Sequence, residues 1–123
     1  MSNSIIETFA NGEDLSSGRY KIMKFTGSFT LENATAATDG FIGVLTENAI
    51  DSATSGHQLS VCVDGIAFVK AGAAFNPGAF LTSDASGLAI ESAGATDIIF
   101  GRALEKADQS GDVVKCLVNI GWR

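Results

Sequence analysis

Short apolar runs, many alternating with polar residues, are separated along this chain by glycine-containing turns. Tyr20 to Phe25 has strand composition and ends at Gly27. Phe29 and Leu31 alternate with Ser28, Thr30 and Glu32, the pattern of a half-buried strand. Phe41 to Leu45 reads as a buried strand with a close backbone approach at Gly43. Leu59, Val61 and Val63 alternate with Ser60, Cys62 and Asp64, and Asp64-Gly65 predicts a tight hairpin that returns the chain along Ile66 to Val69. Asn76-Pro77-Gly78 is a turn, because proline presets φ and glycine supplies the positive φ that follows. Ala79 to Thr82, Leu88 to Ile90, Ile98 to Leu104 and Val113 to Ile120 complete the strands. In the last of these Val114, Cys116, Val118 and Ile120 share one face. The count is eight to ten short strands, with no amphipathic helix beyond one helical turn at Glu105 to Asp108. That spacing predicts an all-β fold, a compact small barrel or sandwich.

The pattern also repeats. Ala37-Thr-Asp39 aligns with Ala95-Thr-Asp97, Gly43 with Gly101, Glu47 with Glu105 and Ala49 with Ala107. After a three-residue gap Ser55-Gly56 meets Ser110-Gly111, and Leu59, Val61 and Val63 meet Val114, Cys116 and Val118. The fold is therefore expected to contain two similar β-units, about 37–63 and 95–118. Each is too short to bury a core alone, so the two should share one. Gly65 to Leu88 is the bridge between them, in a single β domain over 20–123. Residues 1–19 form an extended N-terminal arm whose apolar cluster, Ile5, Ile6 and Phe9, must be tied down by the chain's own barrel or by a neighbouring subunit.

Composition narrows the functions. The chain has 123 residues, 46% of them hydrophobic, with 14 glycines and a single proline. A net charge of −6 and basic residues spread singly argue against nucleic-acid binding, which needs a clustered basic face. The densest basic group, Arg19, Lys21 and Lys24, reads as strand positions in local ion pairs. No apolar run approaches the roughly 20 residues of a membrane span, and the first residues lack the pattern of a signal peptide, so no membrane partner is expected. Cys62 and Cys116 read as free thiols.

The sequence offers no recognisable catalytic constellation. His57 is the only histidine and sits in a polar turn, which leaves a His-based triad or a multi-histidine metal site nothing to work with. Asp39, Asp64, Asp84, Asp97 and Asp112 lie in turns or at strand ends, where aspartate bonds nearby backbone N–H groups. Calcium at Asp84 and Ser86 lacks the ligand spacing of a calcium loop. No catalytic residue, cofactor or metal is expected, and the protein is read as a non-enzyme.

Four stretches carry a resemblance. They are Gly65-Ile-Ala-Phe-Val-Lys-Ala-Gly72, Pro77-Gly-Ala-Phe-Leu-Thr-Ser-Asp-Ala-Ser-Gly87, Ile99-Phe-Gly-Arg-Ala-Leu-Glu-Lys-Ala107 and Gly111-Asp-Val-Val-Lys-Cys-Leu-Val118. In this order they resemble the small capsid decoration, or cement, proteins of tailed bacteriophages. The likeness runs from about Gly40 to Ile120 and departs at Phe100 and at the C-terminal Gly-Trp-Arg. It implies a virion protein, assembled in the host cytoplasm, that binds the outside of the head as a homotrimer and clamps neighbouring major capsid protein subunits. Ile5, Ile6 and Phe9 are the docking candidates, with Tyr20 and Trp122 as further interface candidates. Two other readings stay open. One is a phage tail or fibre module contacting host surface glycans, for which exposed Tyr20 and Trp122 are the aromatics on offer. The other is a small hydrolase using scattered carboxylates, which lacks a second histidine and a nucleophile motif.

Overall fold

The computed structural model describes the chain apart from residues 1–4, 12, 14, 16, 28–29, 48–57, 95 and 121–123. Its elements are all strands: β1 (Ile5–Asn11), β2 (Ile22–Gly27), β3 (Thr30–Asn33), β4 (Phe41–Leu45), β5 (Gln58–Lys70), β6 (Phe80–Ser83), β7 (Ala89–Glu91), β8 (Gly101–Ala103) and β9 (Val113–Val118). They join in the order β1-β3-β2-β4-β5-β9-β8-β6-β7, and β1 also pairs with β5. The first five strands of that order thus close into a ring. The second half of β5 pairs with β9, and a parallel bridge from Ala71 to Ala89 brings the chain just beyond β5 back to β7. A second ring, β5-β9-β8-β6-β7, is closed by that bridge. The molecule is all-β, two small barrels sharing one strand.

Asp64-Gly65 therefore does not reverse the chain. Gly65 has φ 103, but the positive φ produces a bend inside a continuous strand. Residues before it pair with β1 and β4, and residues from Gly65 onward pair with β9. The helical turn expected at Glu105 to Asp108 is also absent: Ala107 there forms a bridge with Phe75. The turns at Asn76 to Gly78 and Asp84 to Gly87 form as expected, with Gly78 and Gly87 at φ 90 and 77.

The repeat extends well past the residues that announce it. Val44 opposite Cys62 and Leu45 opposite Val61 correspond to Arg102 opposite Leu117 and Ala103 opposite Cys116. Met23 opposite Asn33 corresponds to Leu81 opposite Glu91. Ile6 opposite Cys62 and Phe9 opposite Leu59 correspond to Ile66 opposite Leu117 and Val69 opposite Val114. Even the parallel closures match, Asn11 with Leu31 and Ala71 with Ala89. The N-terminal strand is the counterpart of the second half of β5.

The shared residues hold backbone groups in both units. Glu47 accepts the Ser60 N–H at 2.7 Å, and Glu105 accepts the Lys115 N–H at 2.8 Å. Asp39 accepts the N–H groups of Thr35 and Ala36 at 2.7 and 3.0 Å, and Asp97 those of Ala93 and Gly94 at 3.2 and 3.1 Å. Asp112 makes a third loop of this kind with Asp108 and Gln109. Gly43 and Gly101 lie so close to the carbonyls of Cys62 and Leu117 that neither has room for a side chain.

Two cores result, where one shared core was expected. Phe9, Leu15, Met23, Leu31, Leu45, Leu59 and Val61 fill the first ring. The corresponding positions of the second ring hold Val69, Phe75, Leu81, Ala89, Ala103, Val114 and Cys116, in one cluster with Ile22, Phe41, Val44 and Cys62 from the outer side of the first. The physical reason is the division of β5, which lets each ring close around its own side chains. The smaller residues of the second ring leave its core to be completed by the outer side of the first. Both cysteines are buried and free. Burial, with the neighbouring Cys62 thiol as a lesser cause, pushes the Cys116 thiol up to about 12.

Gly101→Ala should destabilise the fold by ~1–3 kcal/mol or more, since the added methyl meets backbone and not a movable side chain. Gly40→Ala, with open space around its Cβ position, should leave the thermal midpoint nearly unchanged. Equal midpoints for the two variants would refute the close-approach account.

Candidate docking surface

The docking candidates on β1 differ in exposure, with a register shift between Ile5 and Ile6. Ile5 and Ile6, opposite Asp64 and Cys62, are 48% and 47% exposed. Phe9 is only 6% exposed and packs edge-on to Phe25 at 5.3 Å between ring centroids. Its ring belongs to the first core. Truncating such a phenylalanine costs ~3–5 kcal/mol, so Phe9 anchors β1 while Ile5 and Ile6 stay exposed. β1 pairs with β3 only at Ala10 and Asn11.

Tyr20 is half-buried, with the Arg19 guanidinium 4.5 Å above its ring and the Phe68 ring at 6.2 Å. Its backbone is unusual, a non-glycine at φ 71. The reason lies in the repeat. The Tyr20 N–H donates to the Leu45 carbonyl at 2.7 Å, as the Gly78 N–H donates to that of Ala103 at 2.8 Å. One backbone conformation serves both corners, and the first unit holds a tyrosine where the second has glycine. Trp122 lies outside the described residues, as does His57.

A larger apolar surface lies on the second ring. Ile66, Phe68, Phe80 and Leu117 point outward and are 38–54% exposed. Ile66 is opposite Leu117, Leu117 is opposite Arg102, and Arg102 is opposite Phe80, so these side chains cross four strands as one band. The Arg102 guanidinium lies 4.7 Å from the Phe80 ring centre and its Nε donates to the Gly78 carbonyl at 3.1 Å. Beside them Phe80, Ile99, Gly101, Arg102, Leu117 and Asn119 line a cavity of about 120 Å³. None of these residues is among the sequence-named candidates, because an apolar residue on a strand fits a core face and an interface face equally well. The signal was present in β9, where Val113 and Leu117 occupy the face opposite Val114, Cys116 and Val118.

The sequence pattern of the phage cement protein family matches residues 19–120, both rings except β1. The chain belongs to that family. Among solved structures it is similar to the head fibre gp8.5 N base of bacteriophage phi29, with a TM-score of 0.71, 18% identity and 98% of each chain covered. That likeness is one of fold. No curated protein sequence matches the chain.

Several of the cement protein's charged groups are occupied in its own loops. Among the described residues no group of three or more His, Cys, Asp or Glu side chains could hold a metal ion. Asp84 accepts the N–H groups of Ser86 and Leu88 at 2.8 and 2.9 Å, the turn chemistry expected of it. Lys24 bridges Glu32 at 3.5 Å and Asp39 at 3.3 Å and donates to the Thr35 hydroxyl at 3.0 Å. Burial pushes the Asp39 carboxyl up, but the Thr35 N–H and Lys24 outweigh it and hold the pKa below the usual value. Burial likewise works against the charge of Lys24, and its bonds to Asp39 and Glu32 raise its pKa regardless.

A depressed carboxylate pKa stabilises the fold above the unfolded value of ~3.9, and that contribution is lost as pH falls through the folded value. Asp39→Ala should therefore cost ~1–2 kcal/mol at pH 7, and its deficit relative to wild type should shrink below about pH 4. Urea unfolding at pH 7 and pH 3 checks this, and an unchanged deficit would refute it. At the strained corner, Tyr20→Gly should be more stable than Tyr20→Ala by ~1 kcal/mol, since both lose the ring but only alanine keeps a Cβ at positive φ. The reverse order in urea unfolding would contradict the strain.

Proposed function

We propose that this cement protein decorates the outer surface of the assembled head and clamps neighbouring major capsid protein subunits, as a homotrimer. The family match over residues 19–120 carries this reading, because it spans the body of the fold and not one motif. The protein would act by binding alone. Each copy contributes a modest interface, and many copies on one shell together resist its internal pressure. An acidic chain with an exposed apolar band fits that task better than catalysis or nucleic-acid binding. Ile5 and Ile6 on β1 are the proposed docking residues, with strand addition to a capsid-protein sheet as the mode.

The second reading, a fibre-type module contacting host glycans, draws support from the fold shared with a head fibre base. Binding on a glycan array without binding to heads would favour it.

Co-sedimentation with expanded and unexpanded heads tests the first reading. Wild-type protein should saturate expanded heads and raise the temperature at which they rupture. Ile5→Asn combined with Ile6→Asn should bind at least about ten-fold more weakly, a loss of ~1.4 kcal/mol, with an unchanged thermal midpoint in the free protein. Binding of the double variant at wild-type affinity would remove β1 from the docking surface. Failure of the wild type to bind any head would remove the function itself.

A further inference from the structure

The two rings of one chain pack against each other through unlike surfaces, and each surface has a second version in the repeat. The first ring presents its outer side, where Ile22, Phe41, Val44 and Cys62 are 0–6% exposed. The second ring presents its rim, where Ser83, Phe100 and Val118 are fully buried. Phe41 and Phe100 meet edge-on across the join at 6.4 Å. The Ile22 N–H donates to the Gly87 carbonyl at 2.8 Å, and the Ile98 N–H to that of Ala37 at 2.7 Å.

The register names the counterparts. The outer side of the second ring carries Phe80, Ile99, Arg102 and Leu117 where the first has Ile22, Phe41, Val44 and Cys62. Phe80 and Leu117 are 45% and 38% exposed and Arg102 is exposed, Ile99 alone is buried, and a cavity of about 120 Å³ opens beside them. The rim of the first ring carries Phe25, Ile42 and Val63 where the second has Ser83, Phe100 and Val118. Phe25 is 42% exposed, and Ile42 and Val63 are half-buried. The join is thus made once within the chain, and one half of it is left uncovered on each ring.

We infer that the uncovered outer side of the second ring binds the rim of the first ring in another copy of this chain. The occupant follows from the repeat, since the chain already contains this join and shows which surface fits which. Arg102 in place of Val44 and Phe80 in place of Ile22 suit a contact between separate chains, where arginine and aromatic side chains are enriched. Contacts between unlike surfaces run head to tail and close into a ring when the rotation allows. The inference rests on the self-association proposed above and supplies its surfaces.

Complementary variants test it. Phe25→Glu disables the rim and Leu117→Glu the outer side. Phe25→Gln and Arg102→Glu serve as second variants should either fail to fold, as judged by circular dichroism and thermal midpoint. Sedimentation velocity should show wild type as an oligomer and each variant as a monomer, with association at least ten-fold weaker. An equimolar mixture of the two should form a dimer and nothing larger, because each retains the surface the other lacks. Wild type that stays monomeric to high concentration would overturn self-association and this inference with it. Wild-type oligomers that survive in both variants would overturn the assigned surfaces alone, and loss of head binding in those same variants would assign the band to the capsid protein. Monomeric variants that fail to dimerise on mixing would overturn the head-to-tail arrangement.

Discussion

A single strand shared between two closed rings constrains everything else in this protein. The residues of β5 before Gly65 serve one barrel and the residues from Gly65 onward serve another. No linker separates the barrels, so neither can turn without bending a hydrogen-bonded strand. Glycine at position 65, at φ 103, sets the bend. The rest of the join is then enforced at short range. The outer side of the first ring is held against the rim of the second, and the side chains between them lose their water. Two units that would separately sit below the usual size of a stable domain become one body.

This arrangement explains which parts of the repeat were legible. Asp39 and Asp97, Gly43 and Gly101, Glu47 and Glu105 could be matched in sequence because each acts on backbone: capping a loop, admitting a carbonyl, or holding a strand N–H. Those tasks admit few residue types. Core positions admit many, provided the total volume suits the ring. Phe9 stands where the second unit has Val69, Leu31 where it has Ala89 and Leu45 where it has Ala103, so half of each unit left no recognisable trace. The Asp64-Gly65 dipeptide misled for a related reason. Its positive φ fits a hairpin or a bend equally well, and only long-range pairing chooses between them.

The candidate surface was partly legible. Ile5, Ile6 and Phe9 were grouped as one apolar cluster, and the strand separates them into two exposed residues and one core residue. The residues of the outer band of the second ring could not be picked out, because an apolar residue on a strand has two faces open to it and burial cannot be assigned without knowing both neighbours. Tyr20 shows what the repeat adds beyond the single sequence. Against Gly78 it becomes a side chain retained despite an unfavourable backbone, with the Arg19 guanidinium over its ring and an edge-on contact with Phe68.

Where two units share a backbone, the residues that differ at equivalent surface positions record what each surface meets. On the first ring the outer positions hold Ile22, Phe41, Val44 and Cys62, all buried as in a permanent core. On the second they hold Phe80, Ile99, Arg102 and Leu117, of which only Ile99 is buried. Arg102 lays its guanidinium over Phe80 and donates its Nε to the Gly78 carbonyl, so the charged head itself covers the ring face and stays hydrogen-bonded. A core position needs no such cover. A surface that must face water in the free protein and be buried on contact does need it, and an arginine over an aromatic ring serves both states. The net charge of −6 acts over a longer range. It opposes any contact between copies through weak repulsion, which the proposed apolar contact would have to overcome at close range. The same backbone thus carries a permanent join inside the chain and the material for a conditional one outside it.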